Sequence, residues 1–292
     1  MGTLIGVKLA EGRVLLGSNS DNPYETRTRV VLRKKKGKLK YIGTEIITAV
    51  PNAPWAAMIT RGVNEAGFAY TYSYVETLDG TFRNKEGKSY KDFSLQIMEN
   101  AKNVKEAEKF IFDEPRAFHG NFIFADAEGN LVLWEITTEK ACCFEFEKLC
   151  RTSYFVSEEM ESLTKPQSIV NTNGKQKMDF CTQAGSYVNL QDIPDLIDLL
   201  KSHKGREYPE EEENWGHSTC NHGLNVGTVS SEIIDPLNRV FGYNYGWPCG
   251  EREAGINKQW QNRSWGEYRF FKLDKLKEGM VTDVKGNIMQ QP

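Results

Sequence analysis

The sequence predicts an α+β fold in which helices cover mainly antiparallel sheets. Three observations predict it. Runs of alternating apolar and polar residues, broken by short Gly, Asn and Pro turns, fill residues 3–75. The apolar period then changes to three or four across residues 90–112. Strand-like runs return after that, give way to one more helical stretch ending near Ser202, and return again.

Taken in order, Thr3–Leu9 and Arg13–Ser18 form the first two strands, with Glu11-Gly12 as their turn. Thr28–Arg33 and Leu39–Ile42 flank the basic run Arg33-Lys-Lys-Lys-Gly-Lys38, which reads as a solvated hairpin tip rather than a phosphate patch. Trp55–Thr60 and Gly67–Tyr74 complete the first set of strands. In YKDFSLQIMENAKNVKEAEKFIF the spacing predicts two helices. Strands follow at Asn121–Ala125, Leu131–Thr137, Cys142–Phe146 and Thr152–Phe155. NLQDIPDLIDLLKS is helical in its C-terminal part, with Pro194 near the start of the helix, where it is tolerated. Gly227–Ile234, Arg239–Tyr243 and Tyr268–Leu273 are the last strands. No repeat and no linker interrupts the chain, so residues 1–292 read as one domain.

Hydrophobic residues make up 39% and charged residues 26% of the 292, the balance of a soluble globular chain. A net charge of −3 argues against a nucleic-acid partner. No apolar run approaches the roughly 18 residues of a membrane span, and no signal segment precedes the first strand. The expectation is a cytoplasmic protein with neither nucleic-acid nor membrane partners, its oligomeric state left open. The six cysteines (Cys142, Cys143, Cys150, Cys181, Cys220, Cys249) show no disulfide framework and read as reduced thiols.

The opening, MGTLIGVKLAEGRVLLGSNSDNP, carries the functional argument. With the initiator Met removed, a free α-amine lies at the start of a buried strand. Its pKa of about 7.7–8.0 sits close to neutrality, so it can serve as general base for a nucleophile on its own residue. The hairpin turning at Gly12 brings Asp21 back to where the chain began, and a carboxylate there would position the amine.

These residues resemble the N-terminal-nucleophile hydrolases of the choloylglycine hydrolase and acyl-coenzyme A:isopenicillin N acyltransferase group, the linear amide C–N hydrolases. Gly17-Ser18-Asn19-Ser20-Asp21 matches that group's Gly-x-Asn-x-Asp, and Thr3 falls on its threonine. Arg61-Gly-Val-Asn-Glu-Ala-Gly67-Phe-Ala, the run from His119 through Asp126 and Gly129 to Glu135, and Val170-Asn-Thr-Asn173 follow in family order over most of the chain. The resemblance implies a four-layer αββα sandwich and hydrolysis of a linear, non-peptide or small-peptide amide through a cysteine thioester, with no cofactor. Acyl transfer from the same thioester is the enzymatic alternative. It also implies that Asp21 binds the α-amine, and that Asn173, with a backbone N–H near Tyr74, faces the developing oxyanion. Asn171 is the fallback for Asn173.

The sequence departs from the group at the decisive position. Gly2 stands where the nucleophilic cysteine belongs, and glycine cannot attack a carbonyl. An engineered Cys-to-Gly change is the preferred account, because the rest of the constellation is present. A natural member that lost catalysis and works as a binding protein is the second account. Removal of both Met1 and Gly2, leaving Thr3 as nucleophile, is the third. The bile-salt branch carries an arginine where this chain has Ser18, and its second arginine has no counterpart across Asn225–Thr228. The substrate therefore need not resemble a conjugated bile salt.

Three further features complete the reading. His217-Ser-Thr-Cys220-Asn-His222 has metal-ligand spacing, but no fourth ligand is evident and the mechanism needs no metal, so it is read as a polar loop at the pocket mouth. Of the aromatics in Tyr243–Cys249 and Trp260–Trp265, about one third are expected to face substrate. The polar stretch Lys204–Ser218, with Glu210–Glu213 inside it, is expected to form a lid or rim, its Glu side chains in solvent and Trp215 and His217 nearer the substrate.

Overall fold

The computed structural model describes residues 2–47, 57–78, 86–183, 186–203, 218–223, 226–250 and 264–290. In chain order the strands are β1 (Gly2–Lys8), β2 (Val14–Pro23), β3 (Arg27–Arg33), β4 (Tyr41–Ile47), β5 (Ile59–Asn64), β6 (Ala69–Ser73), β7 (Gly120–Ala125), β8 (Leu131–Ile136), β9 (Ala141–Glu145), β10 (Lys148–Arg151), β11 (Val226–Asp235), β12 (Val240–Tyr245), β13 (Arg269–Lys272) and β14 (Gly279–Met280). The helices are α1 (Tyr90–Asn100), α2 (Val104–Phe112), α3 (Glu158–Glu161), α4 (Ile169–Gln183) and α5 (Ile193–Lys201).

The strands make two antiparallel sheets. One runs β10-β1-β2-β11-β12-β13, the other β14-β3-β4-β5-β6-β7-β8-β9. Leu4, Leu16, Val30, Ile42, Val63, Ile123, Leu133 and Phe241, drawn from both sheets, form the core between them. A second cluster joins Val31, Tyr70, Phe122 and Phe124 to Phe93, Ile97, Met98, Val104 and Ile111, so α1 and α2 cover the outer face of the eight-stranded sheet. A third joins Ile5, Val7, Leu15 and Ile233 to Cys181, Leu196, Leu199 and Leu200, so α4 and α5 cover the other sheet. The order of layers is helix, sheet, sheet, helix, the αββα sandwich expected of an N-terminal-nucleophile hydrolase.

Local chemistry accounts for three of the helix starts. The side chains of Ser89 and Asn103 cap α1 and α2 by accepting from Asp92 N and Glu106 N. Asp192 caps α5 with Pro194 in its first turn. The basic run 34–38 is the exposed turn between β3 and β4. Three expectations shift, the first being the strand placed at Trp55–Thr60, which is found as β5 at Ile59–Asn64, residues 55–56 lying outside the described residues. The strand placed at Thr152–Phe155 is instead β10, whose register against β1 runs Leu4 to Arg151 and Val7 to Lys148. The stretch around Asn171–Asn173, to which the sequence assigned no element, is helical. No helix among the described residues is long and apolar enough to cross a membrane.

Candidate active site

β1 and β2 form the hairpin the sequence calls for. Gly2 pairs with Ser20 and Thr3 with Asn19, so Asp21 lies one residue past the partner of Gly2. Gly12, at the turn, has φ +84, a left-handed conformation that glycine adopts without strain. Side chains alternate along β1: Leu4 enters the core between the sheets, while Ile5 and Val7 face the helices. By the same alternation position 2 faces the second sheet and Thr3 faces the helices. Thr3 is fully buried and its hydroxyl has no hydrogen-bond partner. A Cβ on Gly2 would come 2.2 Å from the backbone oxygen of Asn19 and 3.4 Å from Nη2 of Arg61. This backbone fits glycine at position 2, and any side chain there requires the strand end to shift.

Beside this strand end lies a cavity of about 470 Å³. Its walls are the end of β2 (Ser20–Pro23), Ile46, Met58, Thr60 and Arg61, the tyrosines Tyr72, Tyr74 and Tyr90, the start of α4 (Ile169, Val170), and Val226. Its size is that of a small-molecule site, and apolar surface dominates around a few polar groups. Among the described residues, Tyr243, Tyr245 and Trp247 are fully buried in the core between the sheets and do not line the cavity, contrary to the share expected of that tail. Asn225 and most of Lys204–Ser218, with Trp215 and His217, lie outside the described residues.

Asp21 is almost completely buried. Its Oδ2 accepts from the Nζ of Lys177 on α4, also buried, and its Oδ1 accepts from Thr228 Oγ1 at 2.8 Å. Thr228 is tied in turn to residue 221, donating its N–H to Asn221 O and accepting from Asn221 N, both at 2.9 Å. Asn173 is half-buried on the same face of α4 as Val170 and Lys177, three and four residues away. Asn171 points elsewhere: its Nδ2 donates to Glu76 O at 2.7 Å and Lys165 O at 3.1 Å, and its Oδ1 accepts from Glu76 N at 3.0 Å. That clamp, with Ser168 and Lys165 on the Glu76 carboxylate at 2.6 Å each, holds the start of α4 against the chain leaving β6. Tyr74 is half-buried at the cavity wall, and burial, followed by the Glu76 charge, pushes its hydroxyl up to about 12.

Ser18 belongs to a buried network between the sheets. Arg61 Nε donates to Ser18 Oγ at 3.0 Å and lies 3.3 Å from Glu232 Oε2. Glu232 also accepts from Ser18, Ser230 and Thr44 at 3.2, 2.7 and 3.0 Å. Burial raises the Glu232 carboxyl above its usual range, against the pull of Arg61 and these hydroxyls. The guanidinium missing at position 18 thus arrives beside Ser18 from β5. The sequence held one signal for it, a lone arginine inside the apolar run that becomes β5. Nothing local marked Lys177.

The structure also gathers residues the sequence left apart. The ligating atoms of His203, Cys220, His222 and Cys249 lie within 4.8 Å of one another. Contact with Cys220, and with His203 and His222, holds the Cys249 thiol well below its ordinary value against the opposing effect of burial. Burial pushes Cys220 well up.

A family model described as acyl-coenzyme A:6-aminopenicillanic acid acyl-transferase matches residues 8–221, which include Asp21, Asn173 and Lys177. Among solved structures, a mutant of conjugated bile acid hydrolase from Clostridium perfringens superposes with a TM-score of 0.55 at 14% identity, over 100% of this chain and 99% of that one. Penicillin V acylase from Agrobacterium tumefaciens gives 0.47 at 14% identity, over 84% and 83%. The Caenorhabditis elegans ortholog of N-acylethanolamine-hydrolyzing acid amidase gives 0.49 at 15% identity, over 80% and 93%. At 14% identity the first superposition shows a shared fold. No curated protein matches the chain.

Proposed function

The chain belongs to the acyl-coenzyme A:6-aminopenicillanic acid acyl-transferase family, and on that premise we propose that its cavity binds a linear, non-peptide or small-peptide amide at the head of β1, where Gly2 leaves the family's acyl-transfer chemistry without a nucleophile. The observation that carries this reading is the hairpin register. It pairs position 2 with Ser20, a cavity wall one residue before Asp21, and Arg61 Nη2 lies 3.4 Å from where a Cβ would stand. Asn19 O fills the space a side chain would need, which supports a site that binds without cleaving.

With a thiol restored at position 2, the family resemblance supports the following chemistry. A thiolate on position 2 attacks the amide carbonyl, and its own α-amine takes the thiol proton and returns it to the departing amine. The tetrahedral oxyanion is met by neutral donors, Asn173 and a backbone N–H near Tyr74. Water then deacylates the thioester, or an amine acceptor does so in the transferase mode. The apolar wall of Ile46, Met58, Val170 and Val226 suits the acyl chain, and Arg61 suits a carbonyl or carboxylate oxygen near the strand end.

A panel of linear amides tests this by calorimetry and by mass-spectrometric detection of released amine. The chain as it stands is expected to bind without turnover. Gly2→Cys is expected to hydrolyse an amide it binds, iodoacetamide is expected to abolish that activity, and Asn173→Ala in that background is expected to lose about 10²–10³-fold in kcat. Amide cleavage by the unaltered chain would overturn the reading, because the nucleophile would then lie elsewhere.

A further inference from the structure

We propose that His203, Cys220, His222 and Cys249 form a structural zinc site that staples the end of α5, the segment before β11 and the turn after β12. The four side chains come from three separate stretches of chain, yet their ligand atoms all lie within 4.8 Å of one another. Nε2 of His222 is 3.3 Å from Cys220 Sγ and 3.2 Å from Cys249 Sγ. A tetrahedral zinc with bonds of about 2.3 Å to sulfur and about 2.0–2.1 Å to nitrogen sets its ligand atoms about 3.3–3.8 Å apart. The two distances fall within a few tenths of an ångström of that spacing.

The donor set fits the same ion. Two thiolates and two imidazoles in tetrahedral array select zinc over calcium or magnesium, which take oxygen ligands. None of the six cysteines is joined in a disulfide. Neighbouring groups orient both imidazoles. The His222 ring stacks on Trp247 with centroids 4.0 Å apart and planes 15° apart. Nδ1 of His203 lies 3.3 Å from Ser218 Oγ, an orienting contact for ligation through the other ring nitrogen. Cys220 and His222 are buried and the other two half-buried, so four protein ligands close the shell with no open position for catalysis.

Such a staple would act on the cavity from behind. Asn19 Nδ2 donates to Thr219 O at 2.6 Å, and Asn221 is bonded to Thr228, which donates to Asp21. The metal would therefore fix the strip of chain that fixes Asp21.

The test uses untagged full-length protein grown with zinc and desalted without chelator. Elemental analysis is expected to give one zinc per chain. The cobalt-substituted protein is expected to show thiolate-to-cobalt charge transfer and the intense visible bands of tetrahedral coordination. Cys249→Ser and His203→Ala, at the half-buried positions, are expected to lose the metal, with circular dichroism checking the fold. Cys143→Ser, on exposed β9, is expected to keep it. Ser218→Ala is expected to keep the fold and weaken zinc binding about 10–100-fold in chelator competition. Metal-free protein of unchanged melting temperature on adding zinc would overturn the proposal. So would full zinc content in both ligand variants, or a Cys220–Cys249 disulfide in the isolated protein.

Discussion

Replacing Lys177 with methionine tests the ion pair at the centre of the site. Asp21 is 1% exposed and Lys177 4%. Lys177→Met leaves the Asp21 carboxylate in the same low-dielectric pocket with Thr228 Oγ1 at 2.8 Å as its remaining side-chain partner. Breaking a buried pair from one side costs about 3–5 kcal/mol, because the charge left behind has lost its water as well as its partner. At roughly 2–4 °C per kcal/mol for a chain of this size, the melting temperature should fall by about 6–20 °C. Asp21→Asn strands the ammonium instead and should cost a similar amount. The double variant Asp21→Asn/Lys177→Met removes both charges and keeps an acceptor for Thr228, so it should recover most of the loss. Urea unfolding of all four proteins gives the cycle, with unchanged m-values certifying that stability alone has moved. A loss below about 1 kcal/mol for Lys177→Met, or strict additivity in the double variant, would refute the claim that the two side chains form one buried unit.

Two further outcomes follow from the same contacts. Gly2→Ala puts a methyl group 2.2 Å from Asn19 O, an overpacking expected to cost about 1–3 kcal/mol and to raise hydrogen exchange at the start of β1; an unchanged melting temperature would show that the strand end is not held in this register. Glu232 has a raised carboxyl pKa, so the folded protein binds more protons than the unfolded one and the group's contribution to stability is lost as pH rises. The decline should begin near the ordinary carboxylate value of 4.5 and end above the raised folded value, and Glu232→Gln should flatten it in denaturant titrations across that range.

What was legible in the sequence was what depends on nearby residues. The hairpin at Gly12 announces itself by alternation and by a turn that only a residue tolerant of positive φ fills comfortably. The helices α1, α2 and α5 announce themselves by period, with a cap residue at each start. α4 did not, because Asn171, Thr172, Asn173 and Gly174 are weak helix formers and their helix is made elsewhere. Asn171 spends its side chain on Glu76 and Lys165, and Gly174 sits where a Cβ would lie 2.6 Å from Ser153 O. β10 was displaced for the same reason: its place is set by pairing with β1, far away in sequence. Lys177, His203 and Cys249 meet partners that no local pattern could name.

The departures around position 2 belong together. Glycine there leaves room for Asn19 O, and Asp21, which the resemblance assigns to the α-amine, is already engaged by Lys177 and Thr228. A sulfur at position 2 therefore restores a nucleophile but not its surroundings. The strand end must shift off Asn19 O before the thiol can face the cavity, and the α-amine of residue 2 must compete with a buried lysine for one carboxylate. Both costs fall on positioning rather than on the thiol's own reactivity, and positioning errors of about 1 Å are worth on the order of 10²-fold in rate. Relief of the second cost by Lys177→Met releases Asp21 for the amine while giving up the stability of the pair. On the function proposed above, the contacts that crowd position 2 and engage Asp21 also hold the fold together, so Gly2→Cys alone is expected to turn over slowly.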